Sequence, residues 1–135
     1  QEIITGSFIK SYAVDKMFIK MKEIGITDAI VNDGGSTIVA LNDSDNTEWG
    51  IIVEGDGEDL FDINISNESY STSNQLNTYI AINGEKYGHI LSPKTGYPSQ
   101  NKQIGIVTES AFIGDIISTG LYNQTLQNFS KLMKK

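Results

Sequence analysis

Cysteine is absent, so thiol catalysis, disulfides and thiolate-bound metals are excluded, although compartment stays undecided. A single histidine, His89, excludes a multi-histidine zinc centre within the chain. Any metal bound here needs oxygen ligands, which points to Mg²⁺ or Ca²⁺. Basic residues are scarce, ten against seventeen acidic ones, giving a formal net charge of -7 and a pI near 4.5. Lys131, Lys134 and Lys135 form only a short basic tail, and no basic stripe exists to displace counterions from phosphates, so nucleic acid is not an expected partner. No apolar run is long enough to span a bilayer as a helix. No signal peptide or lipidation site is visible; the chain opens on Gln1, so a leader would lie upstream of it.

What is present suits one α+β domain: 135 residues, 39% of them hydrophobic. Both prolines and the histidine fall in one stretch, Tyr87 to Pro98. Pro93 fixes its own φ and biases Ser92 toward extended backbone, while Gly96 tolerates positive φ. The expected result is a stiff, non-repetitive loop presenting a histidine, a lysine and hydroxyls. Such a loop is either a binding site or a proline-bracketed connection.

The spacing of Phe8, Tyr12, Ala13, Met17, Met21 and Ile24 predicts an amphipathic helix from Phe8 to Ile24, stopped by Gly25. Lys10 and Asp15 lie off that stripe and are expected at its solvated surface. Asp28–Val31 and Thr37–Leu41 read as strands around the turn Asn32-Asp33-Gly34-Gly35-Ser36, whose glycines permit a tight turn or close ligand approach. Asn42 to Glu48 lacks the glycine and closing glutamate of a calcium loop. Strands are expected at Trp49–Glu54 and around Leu60, Ile63 and Ile65, across an acidic turn at Gly55–Asp59. The hydroxyl cluster Tyr70-Ser71-Thr72-Ser73-Asn74 could bond a ligand or end a strand. Asn83-Gly84 predicts a hairpin between Asn77–Ile82 and Glu85–Ile90. Gln103–Thr108 reads as a strand, Ser110–Tyr122 as a helix, and Leu126, Phe129, Leu132 and Met133 mark a last short helix. Asp115 and Thr119, four apart, share a face of the Ser110–Tyr122 helix. A carboxylate in that apolar run needs a partner, whether a metal or a loop amide.

Singly these signals are ordinary; their order is specific. Lys10-Ser11-Tyr12-Ala13-Val14-Asp15, Asn32-Asp33-Gly34-Gly35, Trp49-Gly50-Ile51, Ser71-Thr72-Ser73, His89-Ile90-Leu91-Ser92-Pro93-Lys94-Thr95-Gly96-Tyr97-Pro98 and Asp115-Ile116-Ile117-Ser118-Thr119 follow one another along the chain. This series resembles the ApbE family, the FAD:protein FMN transferases, from about Gly6 to Leu121. Three positions depart from the family pattern: Ser11 and Asn74 replace glycines, and Ser92 replaces an Asp or Asn before proline.

The resemblance implies an α+β fold, a mainly antiparallel sheet covered by the Phe8–Ile24 and Ser110–Tyr122 helices. It implies a single domain over residues 1–135, the C-terminal portion of a longer transferase whose N-terminal part is absent. The implied reaction is Mg²⁺-dependent transfer of FMN from FAD to a Thr or Ser of an acceptor protein, releasing AMP. Alternatives are a flavin- or nucleotide-binding module weakened in catalysis and an FAD pyrophosphatase. By position in the motifs, Asp115, Thr119 and the Ser7 carbonyl would hold Mg²⁺. Lys10, Asn32, Gly34, Gly35, Ser73 and Thr95 would line the cofactor cleft, and His89 would be the base. Lys10 could instead pair with Asp15. The resemblance also implies action outside the cytoplasm, with membrane association only through a lipid anchor outside this chain.

Overall fold

A computed structural model describes residues 5–75 and 78–132, the Ser7 side chain excepted. Asn77 of the expected hairpin, Met133 of the expected last helix, and Lys134 and Lys135 of the basic tail lie outside the described residues. A 3-10 turn, Thr5–Ser7, leads into α1, Ile9–Glu23. Then come β1 Ala29–Asp33, β2 Thr37–Leu41, β3 Trp49–Gly55, β4 Glu58–Ile65, β5 Ser69–Asn74, β6 Tyr79–Ile82, β7 Glu85–Gly88 and β8 Gln103–Thr108. The chain finishes through α2 Ala111–Leu121 and α3 Leu126–Leu132.

Four strands form one antiparallel sheet in the order β1-β2-β5-β8; β3–β4 and β6–β7 are separate two-stranded hairpins. Strand β2 is buried along its whole length because both sheet faces are covered, and its alternation sorts the two cores. Val39 packs with Val14 of α1 and Ala111 of α2. Ile38 and Ala40, on the opposite face, pack with Ile51, Val53 and Ile65 of the β3–β4 hairpin and with Tyr70. The sheet therefore carries helices on one side and a hairpin on the other. At the mouth of that hairpin excursion Asn42 and Asn67 clasp each other: each side-chain oxygen accepts from the other's backbone N–H, at 3.2 and 3.1 Å.

The expected elements form, with one phase error. The buried face of α1 is Ser11 and Val14, with Phe18 half-buried, whereas Tyr12, Met17 and Ile24 of the expected stripe are 46%, 45% and 62% exposed. Apolar residues occur all around this helix, so periodicity alone selected the wrong face. The buried positions are the ones that contact the sheet and α2. The hydroxyl cluster is no strand end. Ser69 to Ser73 are all buried, within a strand hydrogen-bonded on both edges.

Candidate functional site

Strand β5 sorts its side chains to two faces. Ser69, Ser71 and Ser73 face α2. Ser69 Oγ donates to the Thr108 carbonyl at 2.8 Å, and Ser71 Oγ donates to the Ala111 carbonyl at 3.1 Å. Ser73 Oγ shares hydrogen bonds with Ser118 Oγ at 2.7 Å and Thr119 Oγ1 at 3.1 Å. A buried hydroxyl without a partner is costly, so this mutual satisfaction allows a serine-rich strand to be interior. Gly114 permits the close approach of α2: a Cβ there would sit 2.7 Å from Thr108 Oγ1 and 2.8 Å from Ser71 Oγ.

Asp115 and Thr119 belong to this oxygen-rich region. Ser118 Oγ, bonded to Ser73, also donates to the Asp115 carbonyl at 3.0 Å. Burial pushes the Asp115 carboxyl above its ordinary value, and the Ser11 hydroxyl beside it works in the lowering direction. That hydroxyl also donates to the Phe8 carbonyl at 2.9 Å, and its one proton serves one acceptor at a time. Among the described residues no group of three or more acidic or histidine side chains could hold a metal ion. Asp115 is the carboxylate that α2 brings to this region, on the helix that also carries the Ser118 and Thr119 hydroxyls bonded to Ser73. One carboxylate with neutral hard oxygens suits Mg²⁺, which keeps open positions for water or phosphate oxygens. The donors present thus fit the expected ion.

Asp15 overturns its expectation of a solvated surface position. It is half-buried, and its carboxylate accepts from Ser110 Oγ at 2.6 Å, Ala111 N at 2.8 Å and Phe112 N at 3.2 Å. The two amides are free ones at the start of α2, where a carboxylate also meets the helix dipole favourably. Lys10 is exposed, as expected, and makes no ion pair with Asp15; the ion pairs among the described residues are Lys20–Glu23 and Lys102–Asp56.

On the other face of β5, Tyr70, Thr72 and Asn74 line a cavity of about 730 Å³ roofed by the β3–β4 hairpin and flanked by Tyr79 and Lys86 of β6–β7. Asn32, Gly34 and Gly35 line it too. Asn32 Oδ1 accepts from Gly35 N at 2.8 Å, closing a turn in which Gly34 and Gly35 have φ of 64° and 74°. Residues with a Cβ rarely hold such values, which explains the pair physically. Lys86 Nζ lies 4.4 Å from the centre of the Tyr79 ring, a cation–π contact. Gln103 Oε1 is buried at this cavity without a hydrogen-bond partner among the described residues.

The histidine loop follows. Ser92 N donates to the Tyr97 carbonyl and Gly96 N to the Ser92 carbonyl, both at 2.8 Å, and Leu91 bridges Pro98. The loop is tightly closed, as its prolines and glycine predict. His89 is exposed, with Nδ1 3.1 Å from the Thr78 carbonyl. A carbonyl only accepts, so this contact calls for a proton on Nδ1, and in the neutral tautomer that makes it Nε2 is the lone-pair nitrogen. Thr95 lines a second cavity, of about 450 Å³, shared with Asn123 and Gln124 after α2. The structure thus brings together Ser73, Asp115 and Thr119 on one face of β5, and Asn32, Gly34 and Gly35 on the other. Lys10 and Thr95 line neither group. Ser7 ends the 3-10 turn ahead of α1.

Tyr122 escaped the sequence reading: it is fully buried, and its phenol donates to the Lys102 carbonyl at 2.6 Å. Burial pushes that phenol up to about 12, with the Gln75 backbone working the other way.

The sequence profile of the ApbE family matches residues 1–135. An FAD:protein FMN transferase of Haemophilus influenzae is 27% identical over 124 residues, which are 87% of this chain and 36% of that protein. An FAD:protein FMN transferase of Klebsiella pneumoniae is 27% identical over 127 residues, 90% of this chain and 38% of that protein. The crystal structure of the ApbE protein from Thermotoga maritima superposes with a TM-score of 0.85 at 24% identity, covering 96% of this chain and 43% of that one. That last likeness is one of fold. The chain spans between 36% and 38% of the length of these two curated relatives.

Proposed function

This chain belongs to the ApbE family, and on that premise we propose that it serves the Mg²⁺-dependent transfer of FMN from FAD to a Thr or Ser hydroxyl of an acceptor protein. The observation that carries this reading is the half-buried carboxylate of Asp115, one helical turn before Thr119, whose hydroxyl bonds Ser73 Oγ. In this reading the acceptor oxygen attacks the FMN phosphorus, the bond to the AMP phosphate breaks, and AMP leaves with the electron pair. The hydroxyl proton passes to His89 Nε2, the lone-pair nitrogen opposite the Nδ1–Thr78 contact. Mg²⁺ held by Asp115, Thr119 and the Ser7 carbonyl would supply charge neutralisation at the pyrophosphate. The cavity bounded by Asn32, Gly34 and Gly35 is the part of the flavin cleft that this chain contributes. Lys10, exposed at the start of α1, would reach a phosphate oxygen, and Thr95 would contact the ligand from the histidine loop.

The family resemblance supports a site of action outside the cytoplasm, with a lipid anchor lying outside this chain. Among the described residues no helix is long and apolar enough to cross a membrane. A second reading, a flavin-binding module weakened in catalysis, is favoured by Asn74, whose side chain stands at the cavity where the family pattern has glycine. The test is to incubate the intact protein with FAD, Mg²⁺ and a candidate acceptor and to weigh the acceptor. An FMN adduct supports transfer. Free FMN and AMP without adduct indicate a pyrophosphatase, and bound but unchanged FAD indicates the binding module.

A further inference from the structure

We propose that Asp15 is a positioning residue for the cation site: it sets where α2, and with it Asp115 and Thr119, stands relative to the turn that ends at Ser7. The inference rests on the metal reading above. The ligand set is drawn from two segments far apart in sequence, the Thr5–Ser7 turn before α1 and the middle of α2. Their relative position is therefore a matter of how α1 docks on α2.

Val14 packs with Ala111 and the Ser11 hydroxyl lies beside the Asp115 carboxyl, and two further kinds of contact join the helices. Phe112 meets Phe8 and Tyr12 edge-on, with ring centres 5.6 and 5.9 Å apart. Such contacts hold the helices together but tolerate sliding. The Asp15 carboxylate does not: it accepts from Ser110 Oγ, Ala111 N and Phe112 N, three donors in fixed directions around the first turn of α2. Ser110 is the N-cap of α2, with its Oγ also accepting from Ile113 N at 3.3 Å, so the hydroxyl ties cap and carboxylate together. Asp115 follows Ala111 by four residues, about 6 Å of helix rise, so a shift at the cap passes along a rigid helix to the ligand. A cap serving only the fold would leave ion affinity unchanged once the protein is folded; a positioning residue would not.

The test is Mg²⁺ titration calorimetry on the intact protein, well below its melting temperature, with melting in EDTA as the control. Asn in place of Asp15 keeps the shape, but its amide nitrogen cannot accept from a backbone N–H. Asp15→Asn is expected to weaken Mg²⁺ binding by about 10- to 100-fold, the range for residues that orient metal ligands. Ser110→Ala, which removes one of the three donors, is expected to weaken it in the same direction and by less. Should Asp15→Asn fail to fold, Ser110→Ala decides. A variant with a lowered melting temperature in EDTA and an unchanged Kd for Mg²⁺ overturns the inference and leaves the metal reading standing. Wild-type protein that gives no Mg²⁺ binding overturns both.

Discussion

The two faces of β5 are one strand of six residues put to opposite uses. On the α2 side Ser69, Ser71 and Ser73 are buried and all hydrogen-bonded, to backbone carbonyls or to hydroxyls of the helix. On the hairpin side Tyr70, Thr72 and Asn74 look into a cavity of about 730 Å³, where Gln103 Oε1 is still without a partner among the described residues. The first face is saturated and close-packed, with its hydroxyls already used in mutual and backbone hydrogen bonds. The second is roomy and keeps unused polar capacity, which suits a large ligand. The difference shows how Ser-Tyr-Ser-Thr-Ser-Asn, a stretch that looks undistinguished, gives one strand a packed face and an open face through alternation alone.

The comparison can be broken most severely on the packed face. Asp115→Ala is expected to remove Mg²⁺-dependent transfer in the intact protein while circular dichroism and melting show it folded. Turnover near wild type at limiting Mg²⁺ would take Asp115 out of the site. His89→Ala, on the loop beyond both faces, is expected to slow transfer by about 10²–10⁴-fold, with FAD affinity nearly unchanged because a base acts in the transition state. Weakened FAD binding with turnover intact at saturation would make His89 a ligand contact instead. Gly114→Ala pushes a methyl against Ser71 and Thr108 and is expected to cost about 1–3 kcal/mol in urea unfolding, as overpacking does. A neutral result would mean that α2 has room to move away from the sheet.

The smallest effect concerns pH. The folded-state value of Asp115 is raised above 3.8 by burial. The stability from its protonated form is complete below 3.8 and is lost as pH rises through the raised folded value. Asp115→Asn in EDTA should therefore gain stability relative to wild type as pH rises from that range toward neutrality. Parallel stability curves for the two proteins would show that the carboxylate is well solvated.

Much of this was legible beforehand. Strands, hairpins and both principal helices followed from apolar patterning and from Asn83-Gly84, and the N-cap of α2 is the serine that opens its expected range. The hydroxyl strand was harder. Five of the six residues from Ser69 to Asn74 are Ser, Thr or Asn, which composition alone assigns to a turn, and only the carbonyls and hydroxyls of a partner 40 residues away make it a core strand. The α1 phase failed for the same reason. Its inward side holds Ser11 and Asp15, whose compensating partners are a local carbonyl and the hydroxyl and two amides at the start of a helix 95 to 97 residues later. Polar residues that are buried because something distant satisfies them leave no periodic trace.

The clasp between Asn42 and Asn67 has a consequence for how this molecule can vary. It ties the end of β2 to the turn before β5, two strands that pair directly in the sheet. From the side of the sheet, the chain between the two asparagines leaves and returns at one point, although Ile51, Val53 and Ile65 within it pack back onto Ile38 and Ala40. Closing a longer or shorter excursion changes the entropy little, about 0.6 kcal/mol for each doubling of length. The tip of the β3–β4 hairpin is thus free to drift in length, and the mouth of the cavity it roofs can be reshaped, while Ile51, Val53 and Ile65 keep the hairpin's base on the sheet and strand order and register stay as they are.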